Sequence, residues 1–267
     1  MPFIYTVRHL RDGKLYCARA VDVRQDGVVC FSCLCSFKRN EKGAAFAHQP
    51  PSVQQRYKSI LDAKPPEDHP VSPSVDADWW VQHVNEGDIT EREFPGMDVR
   101  KVDMMGYNNT ETVREHPEAF RQLHFYSMKG TPEYPPTSRN SSELKAKDQS
   151  GVYDNLYACA HIYASDKNSA LLIPNALGNT NFLSIASLTV TFIFHQHGEP
   201  LRTVDWSTSP AQGTTENTHN RWFVQEAWTP RSGENRAVHE SWLWSPGGTL
   251  LASTLQDSLL RFPTEKL

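Results

Sequence analysis

The pattern of hydrophobic and polar positions begins with three alternating stretches near the N-terminus. Residues 3–10, 15–24 and 28–37 are rich in β-branched and aromatic residues, and Arg11-Asp12-Gly13 and Gln25-Asp26-Gly27 separate them. An Asp-Gly pair between two apolar runs is a strong signal for a β-hairpin. The pattern therefore predicts an antiparallel meander of three strands that has no helix in front of it.

The third of these strands carries an apolar strip on one face. Because side chains alternate between the faces of a strand, every second residue from position 29 to position 37 lies on the same side. These residues are Val29, Phe31, Cys33, Cys35 and Phe37. A strip of this size is normally covered. We therefore expect a partner subunit, a refolded linker or poor stability in this region.

The middle of the chain is more polar and is interrupted by proline. Residues 38–75 contain the runs QPPS, KPPEDHP and SPS, which are typical of a linker or a long loop. Residues 76–85 are predicted to form a short helix, residues 97–104 and 120–128 to form strands, and residues 130–150 to form another polar loop.

The second half of the chain predicts one central helix and four further strands. Residues 152–165 show apolar positions at helical spacing. The predicted stripe consists of Val152, Leu156, Cys159 or Ala160, and Tyr163. A long β run at 182–195 follows, then a segment of turn composition at 198–220, then three antiparallel strands within 222–262. One helix against one antiparallel sheet is an α+β layer arrangement.

Composition excludes several classes of function. The chain has 267 residues, a net charge of -4 and a mean hydropathy of -0.57, with lysine and arginine scattered along it. This distribution gives no electrostatic footprint for nucleic acid. No run reaches the length of a membrane span. The five cysteines, an odd number, are interpreted as reduced thiols.

Two clusters have the spacing of metal ligands, but neither predicts a metal site. Cys30, Cys33 and Cys35 fall in a strand, so Cys30 points away from the other two, and no second ligand pair follows. His195 and His197 lack a partner motif such as HExxH. Core cysteines and packing or solvated histidines are therefore expected. Because nucleotide-binding and serine-nucleophile motifs are also missing, we predict no metal and no cofactor.

Three polar residues stand where apolar ones are favoured. Asp166 follows the apolar helix, Ser187 lies in the β run FLSIASLTVTFIF, and Gln256 lies in TLLASTLQDSLLRF. Strand alternation places Gln256 on the face of Leu250, Ala252 and Thr254. Each residue also has a structural interpretation: a turn cap for Asp166, a small strand residue for Ser187, and a solvent-facing edge position for Gln256.

Four segments together resemble a known family. They are PFIYTVRHLRDGKLYCARAVDVRQDGVVCFSCLCSF at the N-terminus, YASD at 163–166, ASLTVTFIFH at 186–195, and GGTLLASTLQDSLLR near the C-terminus. In this order they are similar to motifs of the type II acyl-CoA thioesterases, double hotdog hydrolases of bacteria, peroxisomes and fungi.

The resemblance implies an α+β double hotdog fold, in which a curled antiparallel sheet wraps a helix in each of two units. It implies an incomplete N-terminal hotdog at residues 1–60, a linker at 61–95 and a C-terminal hotdog at 96–267. The first unit would lack its opening strand and its central helix. It also implies a homodimer as one possible assembly.

The same resemblance implies hydrolysis of acyl-CoA thioesters in fatty acid metabolism, with no cofactor. Position by position, Asp166 corresponds to the general base, and Ser187 and Gln256 correspond to the residues that orient the attacking water. Backbone N–H groups at a helix start would stabilise the oxyanion. The acyl chain would lie between helix and sheet.

The sequence departs from the family pattern near the implied site. Thr189-Val190 replaces an Asp-His pair, and Gln256-Asp257-Ser258 replaces Gln-Glu-Gly. These changes favour an alternative, a non-catalytic or degenerate hotdog that binds acyl chains or a partner. A hydratase is a third alternative, but it requires a His–Asp pair that the sequence does not show. The terminal Glu265-Lys266-Leu267 is a partial match to a peroxisomal address, so peroxisome and cytoplasm are both open.

Overall fold

The computed structural model describes residues 1–39, 41, 46–62, 64–133, 141–206 and 220–263. The chain forms two compact units, Met1–His48 and Gln49–Leu267. The sequence placed this division later, at residue 60, and the physical reason for the difference lies in the packing of residues 53–61, described below.

The first unit is the predicted meander. Its strands are β1 (Ile4–Asp12), β2 (Tyr16–Gln25) and β3 (Val28–Lys38), and they pair antiparallel in the order β1-β2-β3. Asp26 and Gly27 both have positive φ, 50° and 77°, as a tight two-residue hairpin turn requires. No helix is present among the described residues of this unit.

The apolar strip on β3 is exposed within the chain. Phe31 is 59% exposed and Phe37 is 52% exposed. Cys33 and Cys35 share one face, as predicted, with their sulfur atoms 3.8 Å apart. Cys30 is exposed and its thiol lies 3.3 Å from the carbonyl oxygen of Val23, so the expectation that it is a core cysteine is wrong.

The second unit contains a six-stranded antiparallel sheet. Its strands, in chain order, are β4 (Met97–Lys101), β5 (Gln122–Met128), β6 (Ser184–Phe194), β7 (Phe223–Gly233), β8 (Arg236–Trp244) and β9 (Leu250–Arg261). Their spatial order is β4-β5-β7-β8-β9-β6. All six lie in segments from which the sequence predicted strands.

The helices of the second unit are mostly short. They are α1 (Val53–Arg56), α2 (Lys58–Leu61), α3 (Asp78–Glu86), α4 (Met105–Asn108), α5 (Glu111–Glu115), α6 (Ser141–Gln149), α7 (Asp154–Ser165) and α8 (Leu172–Ala176), with 3-10 turns at Pro66–Asp68, Pro117–Ala119 and Glu199–Leu201. The sequence predicted α3 and α7. It interpreted the regions of α1, α2 and α6 as loops, because their composition is polar and because α1 and α2 are single turns in a proline-rich segment.

Residues 53–61 belong to the second unit because they cover the outer face of its sheet. Val53, Tyr57 and Leu61 are buried in one apolar cluster with Phe125 and Trp244. The segment expected to end the first unit therefore completes the core of the second.

The same segment also pairs a buried charge. Glu226 on β7 is 1% exposed, and the Arg56 guanidinium contacts both of its carboxylate oxygens. The Tyr57 hydroxyl donates to the same carboxylate at 3.2 Å. A buried carboxylate is tolerated when it is paired and hydrogen-bonded in this way.

Helix α7 covers the inner face of the sheet, but with a different side from the predicted one. Tyr157 and Ala164 pack with strand residues such as Phe223 and Leu243, and His161 is buried beside them. Three residues of the predicted stripe, Val152, Leu156 and Tyr163, are exposed instead. Both stripes have helical spacing, so periodicity alone could not separate them.

No helix in the described part of the chain has the length and apolar character needed to cross a membrane.

Candidate active site

Two apolar clusters cover the inner face of the sheet, and a polar stretch lies between them. The first cluster joins α7 to the sheet and takes in Phe192 and Phe194 of β6. The second joins Ile173 of α8 to Ala237 and Leu260, with Ile185 of β6 beside them. Residues 186–191 of β6 separate these clusters along the strand, and most of them are exposed.

Gln256 occupies this stretch at the middle of β9. In the strand register it lies opposite His239 of β8 on one side and Val190 of β6 on the other. Gln256 is only 2% exposed, whereas Val190 is 53% exposed. Gln256 is therefore buried, although its structural interpretation placed it at a solvent-facing edge. The apolar residue opposite it, Val190, is exposed.

A β-bulge brings Ser187 to Gln256. Strict alternation would place Ser187 on the opposite face from Val190 and Phe192. The pairing of β6 with β9 shifts between Ser187 and Thr189, so Ser187 lies opposite Ser258 while Val190 lies opposite Gln256. A bulge of this kind re-aims a side chain. As a result, the Gln256 amide Nε2 donates a hydrogen bond to Ser187 Oγ.

Asp166 caps the C-terminal end of α7 and begins the connection to α8. Its side chain is exposed, and Ser169 Oγ donates to its Oδ1 at 2.9 Å. Within the described residues, no hydrogen bond joins Asp166 to Ser187 or Gln256. The structure thus brings Ser187 and Gln256 together. It places Asp166 on the segment that connects α7 to α8, the helices of the two apolar clusters on either side of the polar stretch.

A hydrogen-bonded row of polar side chains connects the end of α7 to β9. Gln225 of β7 donates through Nε2 to the carbonyl oxygen of Ser165 at 2.8 Å and to Ser241 Oγ at 3.3 Å. Ser241 and Thr254 share a hydrogen bond of 2.6 Å. This row anchors the backbone immediately before Asp166 to the strand that carries Gln256.

Sequence reasoning did not single out this row. Its signal was available: Gln225, Ser241 and Thr254 all lie in segments predicted to be strands, and a polar residue buried in a strand requires a hydrogen-bond partner. Only the strand pairing shows that they are partners.

His239 and Ser258 flank Gln256 but lack partners. Both ring nitrogens of His239 and the hydroxyl of Ser258 are shielded from solvent and have no hydrogen bond within the described residues. Burial lowers the pKa of His239 to about 4, so the ring is neutral near pH 7. A neutral imidazole has one donor and one acceptor nitrogen.

A second buried histidine lies on the same inner face, at β5. His124 Nε2 and Ser72 Oγ are 3.2 Å apart, and Asn168 donates to the same serine oxygen at 3.0 Å. Burial also lowers the pKa of His124 to about 4. Asn168 has a positive φ of 57°, and this contact helps to hold that conformation two residues after Asp166.

Potential metal ligands gather only at the surface of the described chain. His83, Glu86 and Asp88 could approach one ion, but all three are exposed. His195, considered above as a ligand, has its Nε2 2.8 Å from Ser253 Oγ. The described geometry gives no reason to add a metal to the site around Gln256.

Two cavities of the second unit lie away from Gln256. One of 610 Å³ is lined by residues that include Val71, Phe94 and Lys129. The other, of 600 Å³, is lined by residues that include Lys101 and Gln122. Neither is lined by a predicted site residue.

Comparison with known proteins gives matches among structures only. Comparison of the sequence with protein-family models gives no match. Comparison with curated proteins gives none either.

The similar structures are hotdog proteins. The acyl-CoA thioesterase II TesB2 of Mycobacterium marinum superposes with a TM-score of 0.59 and 20% identity, over 98% of this chain and 75% of that one. A conserved protein with a hot dog fold from Alicyclobacillus acidocaldarius gives 0.56 and 15%, over 98% and 74%. The tesB protein of Mycobacterium avium subs. paratuberculosis gives 0.53 and 16%, over 99% and 73%.

These matches establish the fold. The chain has an α+β hotdog architecture, and the predicted resemblance to type II acyl-CoA thioesterases is confirmed at the level of the fold. At this identity a shared fold does not carry catalytic residues from one chain to another.

Proposed function

We propose that the protein is a thioesterase that hydrolyses acyl-CoA substrates by direct attack of water. The observation that carries the proposal is the hydrogen bond from Gln256 to Ser187. These two residues are 69 positions apart, and a bulge is needed to bring them to one face. A structural polar pair in a strand would not require a break in the ladder.

Each proposed residue has a chemical role. The Asp166 carboxylate accepts a proton from water as the general base. Ser187 and Gln256 hold that water in line with the thioester carbonyl carbon, which lowers the entropic cost of attack. The proton leaves the water for Asp166 and the new C–O bond forms at the carbonyl carbon. The C–S bond then breaks as the carbonyl re-forms, and the departing thiolate takes the proton from Asp166, which restores the carboxylate and releases the CoA thiol. No covalent acyl-enzyme and no cofactor are required.

The open surface beside Gln256 suits an acyl chain. Val190 is exposed and Phe192 is half-buried on the face that carries Gln256. Laying a hydrocarbon chain along these residues would remove apolar surface from water, at about 25 cal/mol per Å². In this arrangement the thioester lies over Ser187 and Gln256 and the CoA stays outside.

The test is thiol release from acyl-CoAs of increasing chain length, comparing the wild type with Asp166→Asn. The substitution keeps the size of an exposed side chain and removes its basicity, so we expect kcat to fall by at least about 100-fold. Asp68→Asn, at another exposed aspartate, serves as the control. Turnover by Asp166→Asn at the wild-type rate would refute the assignment of the base.

A second candidate function has its own observation. The first unit exposes Phe31 and Phe37 on one face of a sheet without a helix among its described residues. Exposed apolar area of this kind marks an interaction surface, which favours a binding module. Folded protein that binds acyl-CoA without releasing thiol would support this alternative.

The assembly and the location remain proposals. A homodimer follows from the same exposed strip, and light scattering would test it. Peroxisome and cytoplasm stay open because the tripeptide 265–267, on which the choice depends, lies outside the described residues.

A further inference from the structure

The side chains around Gln256 leave three buried polar atoms without partners. They are Nδ1 and Nε2 of His239 and Oγ of Ser258. A buried polar group that is left unpaired destabilises the folded state. Because three such atoms lie next to one another, they point to hydrogen bonds among these side chains.

The strand register limits the possible partners of His239. The residue directly opposite it on β9 is Gln256, and the diagonal neighbours on the same face are Thr254 and Ser258. Thr254 is already bonded to Ser241. On the β9 side, the available partners are therefore the Gln256 carbonyl oxygen, which has no hydrogen bond to a described residue, and the Ser258 hydroxyl.

One polarity pairs more of these atoms than the other. Gln256 uses one of its two Nε2 protons for Ser187, and its Oε1, which can only accept, has no hydrogen bond to a described residue. A His239 N–H that donates to Oε1 pairs both atoms, whereas the second Nε2 proton donated to the ring would leave Oε1 unpaired. The other ring nitrogen then accepts the Ser258 proton. Gln256 lies directly opposite His239, where Cβ atoms are typically about 5 Å apart, and Ser258 lies diagonally at roughly 7 Å, a separation that an aromatic ring can span.

We propose that His239 is a positioning residue that fixes the orientation of the Gln256 amide through a hydrogen-bonded relay, Ser258 to His239 to Gln256 to Ser187. In this relay Ser187 Oγ accepts a hydrogen bond from Gln256, so the Ser187 O–H is free to donate towards the reacting groups. If the Gln256 amide were reversed, its Oε1 would face Ser187 and would accept a hydrogen bond from the Ser187 O–H. The catalytic part of this inference rests on the proposed function.

The neutral ring supports this arrangement. A protonated imidazole has two donors and could not accept from Ser258. Burial lowers the pKa of His239 to about 4, which leaves one donor and one acceptor near pH 7.

The kinetic experiment compares thiol release by the wild type, His239→Phe, His239→Gln and Ser258→Ala. We expect His239→Phe to lower kcat about tenfold, the equivalent of one lost hydrogen bond, with KM within about twofold. His239→Gln, which keeps a donor and an acceptor, should restore most of the activity. Ser258→Ala should lower kcat by a smaller factor.

The matched control is His69→Phe. His69 is also buried, has no hydrogen bond from its ring within the described residues, and packs against Phe125 on the outer face. It should leave kcat unchanged. Equal losses in His69→Phe and His239→Phe, or full activity in His239→Phe, would overturn the inference.

A structural readout separates this inference from the proposed function. Nitrogen-15 NMR of the histidine rings should show one tautomer for His239, with a ring proton protected from exchange, and Ser258→Ala should alter its signals. The Gln256 side-chain amide should shift in His239→Phe. If the wild type releases no thiol, the proposed function fails, and these signals alone decide whether the relay exists. Unchanged signals in both variants would overturn it.

Discussion

Mild acid should destabilise the second unit because three of its histidines are buried in the neutral form. His124, His161 and His239 are each about 1% exposed. Burial is the main cause that lowers the pKa of each from 6.5 to about 4. His161 Nδ1 lies 2.9 Å from the Tyr126 hydroxyl and its Nε2 lies 2.9 Å from the Leu201 carbonyl oxygen; the second contact raises the pKa of His161, but burial outweighs it.

The sign of the effect follows from the proton balance. Between pH 6.5 and pH 4 the unfolded chain binds a proton at each histidine and the folded chain does not, so stability is lost as pH falls through this window. For a pKa of about 4 against 6.5, lowering the pH from 7 to 5.5 costs about 1.2 kcal/mol per histidine. The three together cost about 4 kcal/mol, a large part of the 5–15 kcal/mol that usually stabilises a domain.

Urea unfolding at a series of pH values would measure this loss. All seven tryptophans lie at position 79 or later, so their fluorescence reports on the second unit alone. The variant His124→Asn should reduce the difference between pH 7 and pH 5.5 by about a third, whatever its stability at pH 7. A wild-type loss below about 1 kcal/mol over this interval would refute the assignment of buried neutral histidines.

Two further predictions concern the core of the second unit. Arg56→Ala should lower the free energy of unfolding by about 3 kcal/mol, because it removes the closer of the two arginines that pair with the buried Glu226 and leaves only Arg121 at 3.7 Å. Adding Glu226→Gln should recover part of this loss, and no recovery in urea titrations would contradict the charge argument. Leu251→Ala should lower the free energy of unfolding by about 2–5 kcal/mol because Leu251 is fully buried. Leu255→Ala on the same strand should lower it much less, because Leu255 is 44% exposed. Equal losses in thermal unfolding would contradict the packing of Leu251.

Strand positions could be predicted from the sequence because their signals are local. Alternating apolar residues and Asp-Gly turns gave the three strands of the first unit, and β6 has high β propensity. The buried side of α7 could not be predicted, because Tyr157 and Leu156 both belong to stripes with helical spacing. Contact with β7 and β8 decides which stripe is buried.

Residues 53–61 show a second limit of local signals. Their composition is typical of a linker, yet Val53 and Tyr57 complete the outer core against Trp244. A few apolar residues in a polar segment carry no periodic pattern long enough to recognise. Their role depends on the surface they meet.

The sequence by itself determined the residue types of the candidate site and the strands that carry them: Ser187 in one β run, Gln256 in another, and Asp166 at the end of a helix. The tertiary structure decided which of them meet. Alternation along β6 would have turned Ser187 away from Gln256, and a one-residue bulge against β9 reverses that face. It also decided that His239 lies beside Gln256, since pairing across β8 and β9 depends on register. Register arises from pairing between distant segments, which local preferences do not encode.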